Sequence, residues 1–295
     1  MKVRLHASVL GILLLMGPMA ALALESSVLN QHPLESKMPW AYALDDAGNG
    51  WFAYYGAEDN TLYARAPQGS ETGLGATDRQ RAQSGLAIAP AAGDLAVLWR
   101  DKLPSKTLYL LPTLKLGAES AKPLAVSGEE SEALTRLRLA KREDTTYLLW
   151  VGEKGDQEKK ERYHLYFRSV EDNGKTLSPI ERVLPGYYPA WIVDKELIPV
   201  FSWAFFEDKL SIAMRVFDRA KKTFGAPVKV ADAPPISPFF QAFESAGRWF
   251  VLWVGHYGDN KEQLLEGIYS EDKGQNWKRF SFEKLRGLDL SLIHI

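Results

Sequence analysis

Five short runs with one texture recur along this chain, and their spacing limits what it can fold into. They are Trp51-Phe52-Ala53-Tyr54-Tyr55, Leu95-Ala96-Val97-Leu98-Trp99, Tyr147-Leu148-Leu149-Trp150-Val151, Ile198-Pro199-Val200-Phe201-Ser202-Trp203 and Phe250-Val251-Leu252-Trp253-Val254. Their aromatic anchors, Tyr54, Trp99, Trp150, Trp203 and Trp253, lie 45, 51, 53 and 50 residues apart. Branched and aromatic side chains pack well on a pleated surface, so each run reads as a strand. A β unit repeating at about fifty residues has the period of a propeller blade. The competing reading is a β-sandwich with regular strand lengths.

Each unit divides into four strands, A to D, at Gly, Pro, Asn and Asp turns. In the fourth unit the strands fall at residues 190–193, 197–203, 210–217 and 227–230. In the fifth they fall at 241–244, 249–254, 265–269 and 278–282. The expectation is an all-β propeller of four-stranded antiparallel blades, with five blades visible and six in the full-length protein. Each sheet has two apolar faces that only neighbouring sheets can cover, so no blade is stable alone.

The ends of the chain carry their own signals. Lys2 and Arg4 precede an apolar run at 9–16, then Gly17, Pro18, and small residues at Ala21 and Ala23. This is the three-part build of a secretory signal cut after Ala23, and the run is too short to span a bilayer of about 30 Å. The alternative is a short N-terminal anchor. Residues 24–295 then form one propeller domain, exported to a periplasm or secreted, with no membrane segment after signal cleavage. Near the other end, Gly287-Leu288-Asp289-Leu290 reads as the first strand of an unfinished sixth blade, so a domain incomplete at its C-terminus is expected. Otherwise residues 25–40 would supply a closing strand for a five-bladed ring.

Composition removes several function classes. With 36 Lys+Arg against 37 Asp+Glu, the chain lacks the cationic excess that nucleic acid or an anionic membrane surface demands. It has no cysteine, which excludes disulfides, Cys-zinc sites and thiol nucleophiles. The five histidines, His6, His32, His164, His256 and His294, have no ligand spacing. No phosphate-cradling glycine loop or EF-hand acidic loop is present. No cofactor or metal is expected, and the expected state is a monomer.

One motif is specific. Ser270-Glu271-Asp272-Lys273-Gly274-Gln275-Asn276-Trp277 reads Ser-x-Asp-x-Gly-x-x-Trp and falls between strands C and D of the fifth unit. An Asp in a tight turn accepts bonds from nearby backbone N–H groups, Gly274 tolerates a positive φ, and Trp277 anchors the turn between sheets. A longer copy, Ser169-Val170-Glu171-Asp172-Asn173-Gly174-Lys175-Thr176-Leu177, lies two units earlier. A third, at 218–224, keeps only Asp218, Thr223 and Phe224. The first two units show no legible copy. The motif resembles the Asp box of the sialidase and BNR-repeat superfamily. That resemblance implies a structural turn on the face away from an active site. Ser270, Asp272, Gly274, Trp277, Asp172 and Gly174 are therefore expected to build turns, not to catalyse.

If the C–D turns share one face, the B–C loops and D-to-A crossings share the other. The crossings carry Tyr187, Tyr188 and Trp191 before the fourth blade, and Phe239 and Phe240 before the fifth. The B–C loops carry Arg100, Asp101, Glu153, Glu207, His256, Tyr257 and Asp259. Aromatic rings with polar neighbours around a funnel suit a glycan or protein ligand. Arg100, Tyr187, Tyr188, Trp191, Phe239, Phe240, His256 and Tyr257 are the candidate ligand residues. Packing between blades is the competing reading for Tyr187, Tyr188, Phe239 and Phe240. Asp101, Glu153, Glu207 and Asp259 are the candidate catalytic acids, since a glycosidase needs two facing carboxylates.

The family resemblance implies that an active sialidase would present three arginines, a tyrosine–glutamate pair and an acidic Asp. It also implies an Arg-Ile-Pro signature. This chain has no Arg-Ile-Pro; Leu197-Ile198-Pro199 is the nearest echo. Arg136, Arg138 and Arg215 fall in strand-like runs and read as solvent-facing positions, so the triad is not assembled. The expected function is a glycan- or protein-binding module. The alternatives are a glycoside hydrolase using loop-face carboxylates and a scaffold in an envelope complex.

Overall fold

The computed structural model describes residues 40–56, 61–69, 71–76, 85–91, 94–100, 107–114, 122–128, 133–153, 163–206, 209–232, 240–257 and 262–282. The signal segment, all but Trp40 of the closing strand expected at 25–40, and the sixth-blade start at 287–290 lie outside these residues; Trp40 opens β1.

The described strands form five antiparallel sheets, each read in chain order from its first strand outward. The first sheet holds β1 (Trp40–Leu44), β2 (Gly50–Tyr55), β3 (Thr61–Arg65) and β4 (Glu71–Ala76). The second holds β5 (Leu86–Ala91), β6 (Asp94–Arg100), β7 (Leu108–Leu114) and β8 (Leu124–Ala125). The third runs β9 (Ala133–Arg142), β10 (Thr145–Glu153) and β11 (Tyr163–Glu171), then β12 (Thr176–Leu177) and β13 (Glu181–Pro185). The fourth runs β14 (Ala190–Trp191), β15 (Leu197–Phe206) and β16 (Lys209–Asp218), then β17 (Thr223–Phe224) and β18 (Val228–Asp232). The fifth holds β19 (Phe240–Ser245), β20 (Arg248–Tyr257), β21 (Glu262–Ser270) and β22 (Lys278–Phe282).

In the third and fourth sheets the outer strand is broken in two, and both pieces pair with strand C. Proline explains the third-sheet break. Pro179 has no N–H to give β11. Ser178 carries the edge past it: its N–H donates to Ser169 O (3.0 Å), and its hydroxyl accepts from Ser169 N–H (2.9 Å).

All five anchors, Tyr54, Trp99, Trp150, Trp203 and Trp253, stand on the second strand of their sheets. Four buried clusters join successive sheets. Trp51 and Leu62 of the first meet Leu95 and Val97 of the second. Leu98 and Leu110 meet Leu148 and Trp150. Leu149 and Phe167 meet Ile198 and Phe217. Phe201 and Met214 meet Trp249 and Val251. The three inner sheets thus bury both faces. A sandwich would place one core between two sheets, so the propeller stands. First strands meet along the axis, β1 with β5, β5 with β9, and β14 with β19. Among the described residues no cluster joins the fifth sheet to the first. On β1, Trp40, Tyr42 and Leu44 turn away from the first cluster and are about half exposed.

Candidate functional site at the blade axis

The strand order gives the blades two distinct ends. A–B and C–D turns lie at one end, the turn face. B–C loops and D-to-A crossings lie at the other, the loop face.

The Asp turns are built as their chemistry demands. Asp272 Oδ1 accepts from Asn276 N–H (2.8 Å) and from the Ser270 hydroxyl (2.7 Å), and Oδ2 accepts from the Asn276 amide (2.7 Å). Those bonds hold its carboxyl down at about 2. Gly274 takes φ +88°, and a Cβ there would press on Met214 and Trp249 of the neighbouring core. Trp277 donates its indole N–H to Gly274 O (3.1 Å). Asp218 likewise accepts from Ala220 and Lys221 N–H, both at 3.0 Å. The copy at Asp172 is built differently. Asp172 accepts no bond among the described residues; Asn173 instead donates its side-chain amide to Asp144 (3.0 Å) and accepts from the Thr113 hydroxyl (3.0 Å). Gly174 (φ +105°) lies against Pro112 and Leu124 of the second sheet. A further Asp turn joins β1 to β2. Asp45 accepts from Ala47 N–H (3.0 Å), Asn49 N–H (2.8 Å) and the Trp51 indole (3.2 Å). Its order, Asp-x-x-Gly-Asn-Gly-Trp, hides it from a Ser-x-Asp-x-Gly-x-x-Trp pattern.

The loop face carries a different assembly. Gly186 takes φ +128°, and a Cβ on it would collide with the Ser202 hydroxyl and the Trp203 carbonyl of β15. Only glycine lets the crossing lie this close, and the two residues after it are thereby fixed. Tyr187 and Tyr188 meet edge to face, with centroids 5.4 Å apart. Tyr187 packs on Tyr163 (5.0 Å) and Tyr188 on Trp203 (5.2 Å). Both tyrosines keep part of their surface open.

Across from them runs β9, the axial strand of the third sheet. Its ladder with β10 pairs Leu149 with Arg138 and Val151 with Thr135. Two residues, Arg136 and Leu137, therefore stand against Trp150, which is a β-bulge. Arg136 sits at φ +60°, a left-handed conformation costing about 1–3 kcal/mol in a non-glycine residue. The bulge aims its guanidinium at the tyrosines. The Arg136 Cζ lies 4.6 Å from the Tyr187 centroid and 4.3 Å from the Tyr188 centroid. Arg138 follows two residues later. Burial, with the like charge of Arg136 added, pushes the Arg138 guanidinium below its usual range. Neither side chain has a carboxylate or carbonyl partner among the described residues. Two buried donors here also lack an acceptor: Arg136 Nε and Trp203 Nε1.

These positions correct the solvent-facing reading of Arg136 and Arg138. Alternation along a strand predicts solvent on its polar face only when that face is open. On an axial strand it faces across the blade axis, and Arg136 and Arg138 are there only partly exposed.

Arg100 ends β6, is half-buried, and burial lowers its pKa. Trp191 lies in β14, partly buried with Tyr187 against the third–fourth core. Phe240 is a correction. It opens β19, is 3% exposed and packs 5.7 Å from Trp203, so it is core and unavailable to a ligand. Glu153 is the last residue of β10, and His256 and Tyr257 end β20, all at the loop face. Asp101, Glu207, Phe239 and Asp259 lie outside the described residues. Among the described residues no cluster of His, Asp and Glu could hold a metal ion.

A groove of about 640 Å³ opens on the turn face between the third and fourth sheets. In its lining Lys222 pairs with Glu171 (2.7 Å), and Arg219 donates to the Tyr147 hydroxyl (2.8 Å).

No protein-family profile matches the chain, and no curated protein matches it. Solved structures of similar shape do exist. An exo-1,5-alpha-L-arabinanase from a bovine ruminal metagenomic library is 12% identical over 85% of this chain and 100% of its own (TM-score 0.42). A thermostable family-43 glycoside hydrolase is 11% identical over 87% and 96% (TM-score 0.49). The protein YjhT is 11% identical over 82% and 83% (TM-score 0.45). Likeness at these scores carries no inference about activity.

Proposed function

We propose that this chain is an exported propeller of the sialidase/BNR type that acts as a glycan-binding module through its loop face. One observation carries the reading: Tyr187 and Tyr188 are locked by Tyr163, Trp203 and Arg136, yet remain partly open at the crossing. Rings held rigid and partly exposed lose little entropy when a sugar stacks on them. The Asp272 turn, at the opposite end, supports the family reading and leaves the loop face for the ligand. A glycan array screened with the full chain tests the proposal. Binding is expected, and Tyr188→Ala should abolish it while the fold survives. Loss of folding in that variant would assign the tyrosines to packing. Release of sugar from a bound glycan would instead support the hydrolase.

A further inference from the structure

We infer that Arg215, on strand C of the fourth sheet, is a positioning residue for the tyrosine pair of the loop face, and that it acts through the bulged outer strand of the third sheet. Its effect on binding rests on the glycan reading above; to that site it adds a residue remote from the ligand.

Arg215 belongs to a device that the chain builds twice among the described residues. In the third sheet, Arg168 Nε donates to Ser178 O (2.7 Å), and its Nη1 donates to Val126 O (2.9 Å), just past the last strand of the second sheet. In the fourth sheet, Arg215 Nε donates to Gly225 O (2.7 Å), and its Nη1 donates to Arg182 O (3.2 Å) and Val183 O (3.3 Å) of the third sheet. The two arginines are 47 residues apart, and so are Ser178 and Gly225. Each arginine is the fourth residue from the end of its strand C, β11 or β16. Ser178 and Gly225 each stand just past the first piece of a broken outer strand. Their N–H groups donate to Ser169 O (3.0 Å) and Val216 O (2.9 Å), the residue after each arginine. The break frees a carbonyl for the guanidinium, and the planar fork reaches on to the preceding sheet. At the same place in the fifth sheet stands Gly267, and the outer strand β22 is unbroken. Arg215 is therefore a bonded, half-buried clamp, which corrects its reading as a solvent-facing strand position.

The second copy differs from the first in what it grips. The ladder between β11 and β13 pairs Leu165 with Leu184 and Tyr166 with Arg182, so Val183 is an extra residue. Successive carbonyls of a regular strand point to opposite sides, and a bulge breaks that alternation. Here the carbonyls of Arg182 and Val183 both reach one guanidinium nitrogen. A bulge also bends its strand, and β13 runs from this one through Pro185 directly into Gly186, Tyr187 and Tyr188. Holding both carbonyls fixes the direction in which the chain enters the crossing. Gly186 N–H, donating to Tyr163 O (2.8 Å), holds the next point along. Of these two anchors, Arg215 is the one that ties the path to the fourth sheet, where Tyr188 must meet Trp203.

The test measures hydrogen–deuterium exchange and glycan-array binding with the full chain and its variants. Arg215→Lys keeps a cation and loses the fork; Arg215→Gln keeps a donor and loses the charge. In both, amide exchange across residues 181–188 is expected to quicken. The array signal of each glycan that the parent binds should fall roughly two- to thirtyfold. Trp277→Ala is the comparison, because it lowers the Tm from the opposite end of the blades and should leave the crossing and the array signal as they are. If one Arg215 variant fails to fold, the other decides. Parent-level array binding in a folded Arg215 variant overturns the inference and leaves the glycan reading standing. So does an equal loss of signal in Trp277→Ala at the same fall in Tm, since general destabilisation would then explain it. If the parent binds no glycan, the glycan reading fails and exchange decides the inference alone: quickened exchange at the crossing upholds it, and parent-like exchange overturns it.

Discussion

The indole of Trp277 meets the ring of Phe201 edge to face, with centroids 5.8 Å apart and planes at 86°. One residue belongs to the Asp turn of the fifth sheet and the other to strand B of the fourth. The turn is therefore a rivet between blades. Trp277→Ala removes the ring from the fourth–fifth core. Trp277 keeps some exposure, so the cost should fall toward the lower end of the about 3–5 kcal/mol of a fully buried ring. Denaturant unfolding checks this. Ligand affinity at the loop face should not change.

Asp272 makes the same turn sensitive to acid. Its carboxyl is held at about 2 against an ordinary 3.8, first by Asn276 N–H and then by the Asn276 and Ser270 side chains. A folded value below the unfolded one gives stability that is present above the unfolded value. That stability is lost as pH falls through the folded value. The contribution should therefore be complete above about pH 4 and gone near pH 2. Tm measured across that range should fall less steeply in Asp272→Asn than in the parent. An identical acid limb would show that the turn bonds do not act through the carboxylate.

Glu266 illustrates a charge that the fold does satisfy. It is 7% exposed on strand C of the fifth sheet, and it accepts from the Trp253 indole (3.3 Å) and from Arg279 (3.2 Å). Arg279→Ala removes one ion partner from a carboxylate that stays buried. A loss of about 1–3 kcal/mol is expected, the cost of leaving a buried acceptor short. Arg279→Lys should recover part of it. A double-mutant cycle with Glu266→Gln checks that the loss comes from this pair.

Much of the blade plan was legible in the chain. Strand D of the fifth sheet falls at Lys278–Phe282 as its spacing implies, and each aromatic anchor lands on strand B. Those positions are read locally, from branched and aromatic runs between turn residues. The axial site was not legible in the same way. Arg136 and Arg138 look like the polar half of an alternating strand, and only the packing of sheets side by side turns that half toward the tyrosine crossing. The bulge opposite Trp150 is also a pairing event, set by β10 rather than by β9. Phe240 failed for the opposite reason: a crossing residue reads as loop, but here it already begins a strand and drops into the core. Asp45 shows a third limit, since the same turn chemistry appears between strands A and B with its residues in a different order.

Gly186 ties the fold to the site most directly. Its φ of +128° is one L side chains rarely adopt, and a Cβ there would collide with the Ser202 hydroxyl and the Trp203 carbonyl. Gly186→Ala must therefore either strain the backbone by about 1–3 kcal/mol or lift the crossing off β15. Lifting it would pull Tyr188 from Trp203 and both tyrosines from Arg136. The expected result is a lower Tm together with weakened ligand binding, even though residue 186 need not touch the ligand. Near-ultraviolet circular dichroism should show the loss of tyrosine and tryptophan packing. Unchanged ligand affinity alongside a lowered Tm would mean that the tyrosine pair is positioned by Tyr163 and Arg136 rather than by the crossing.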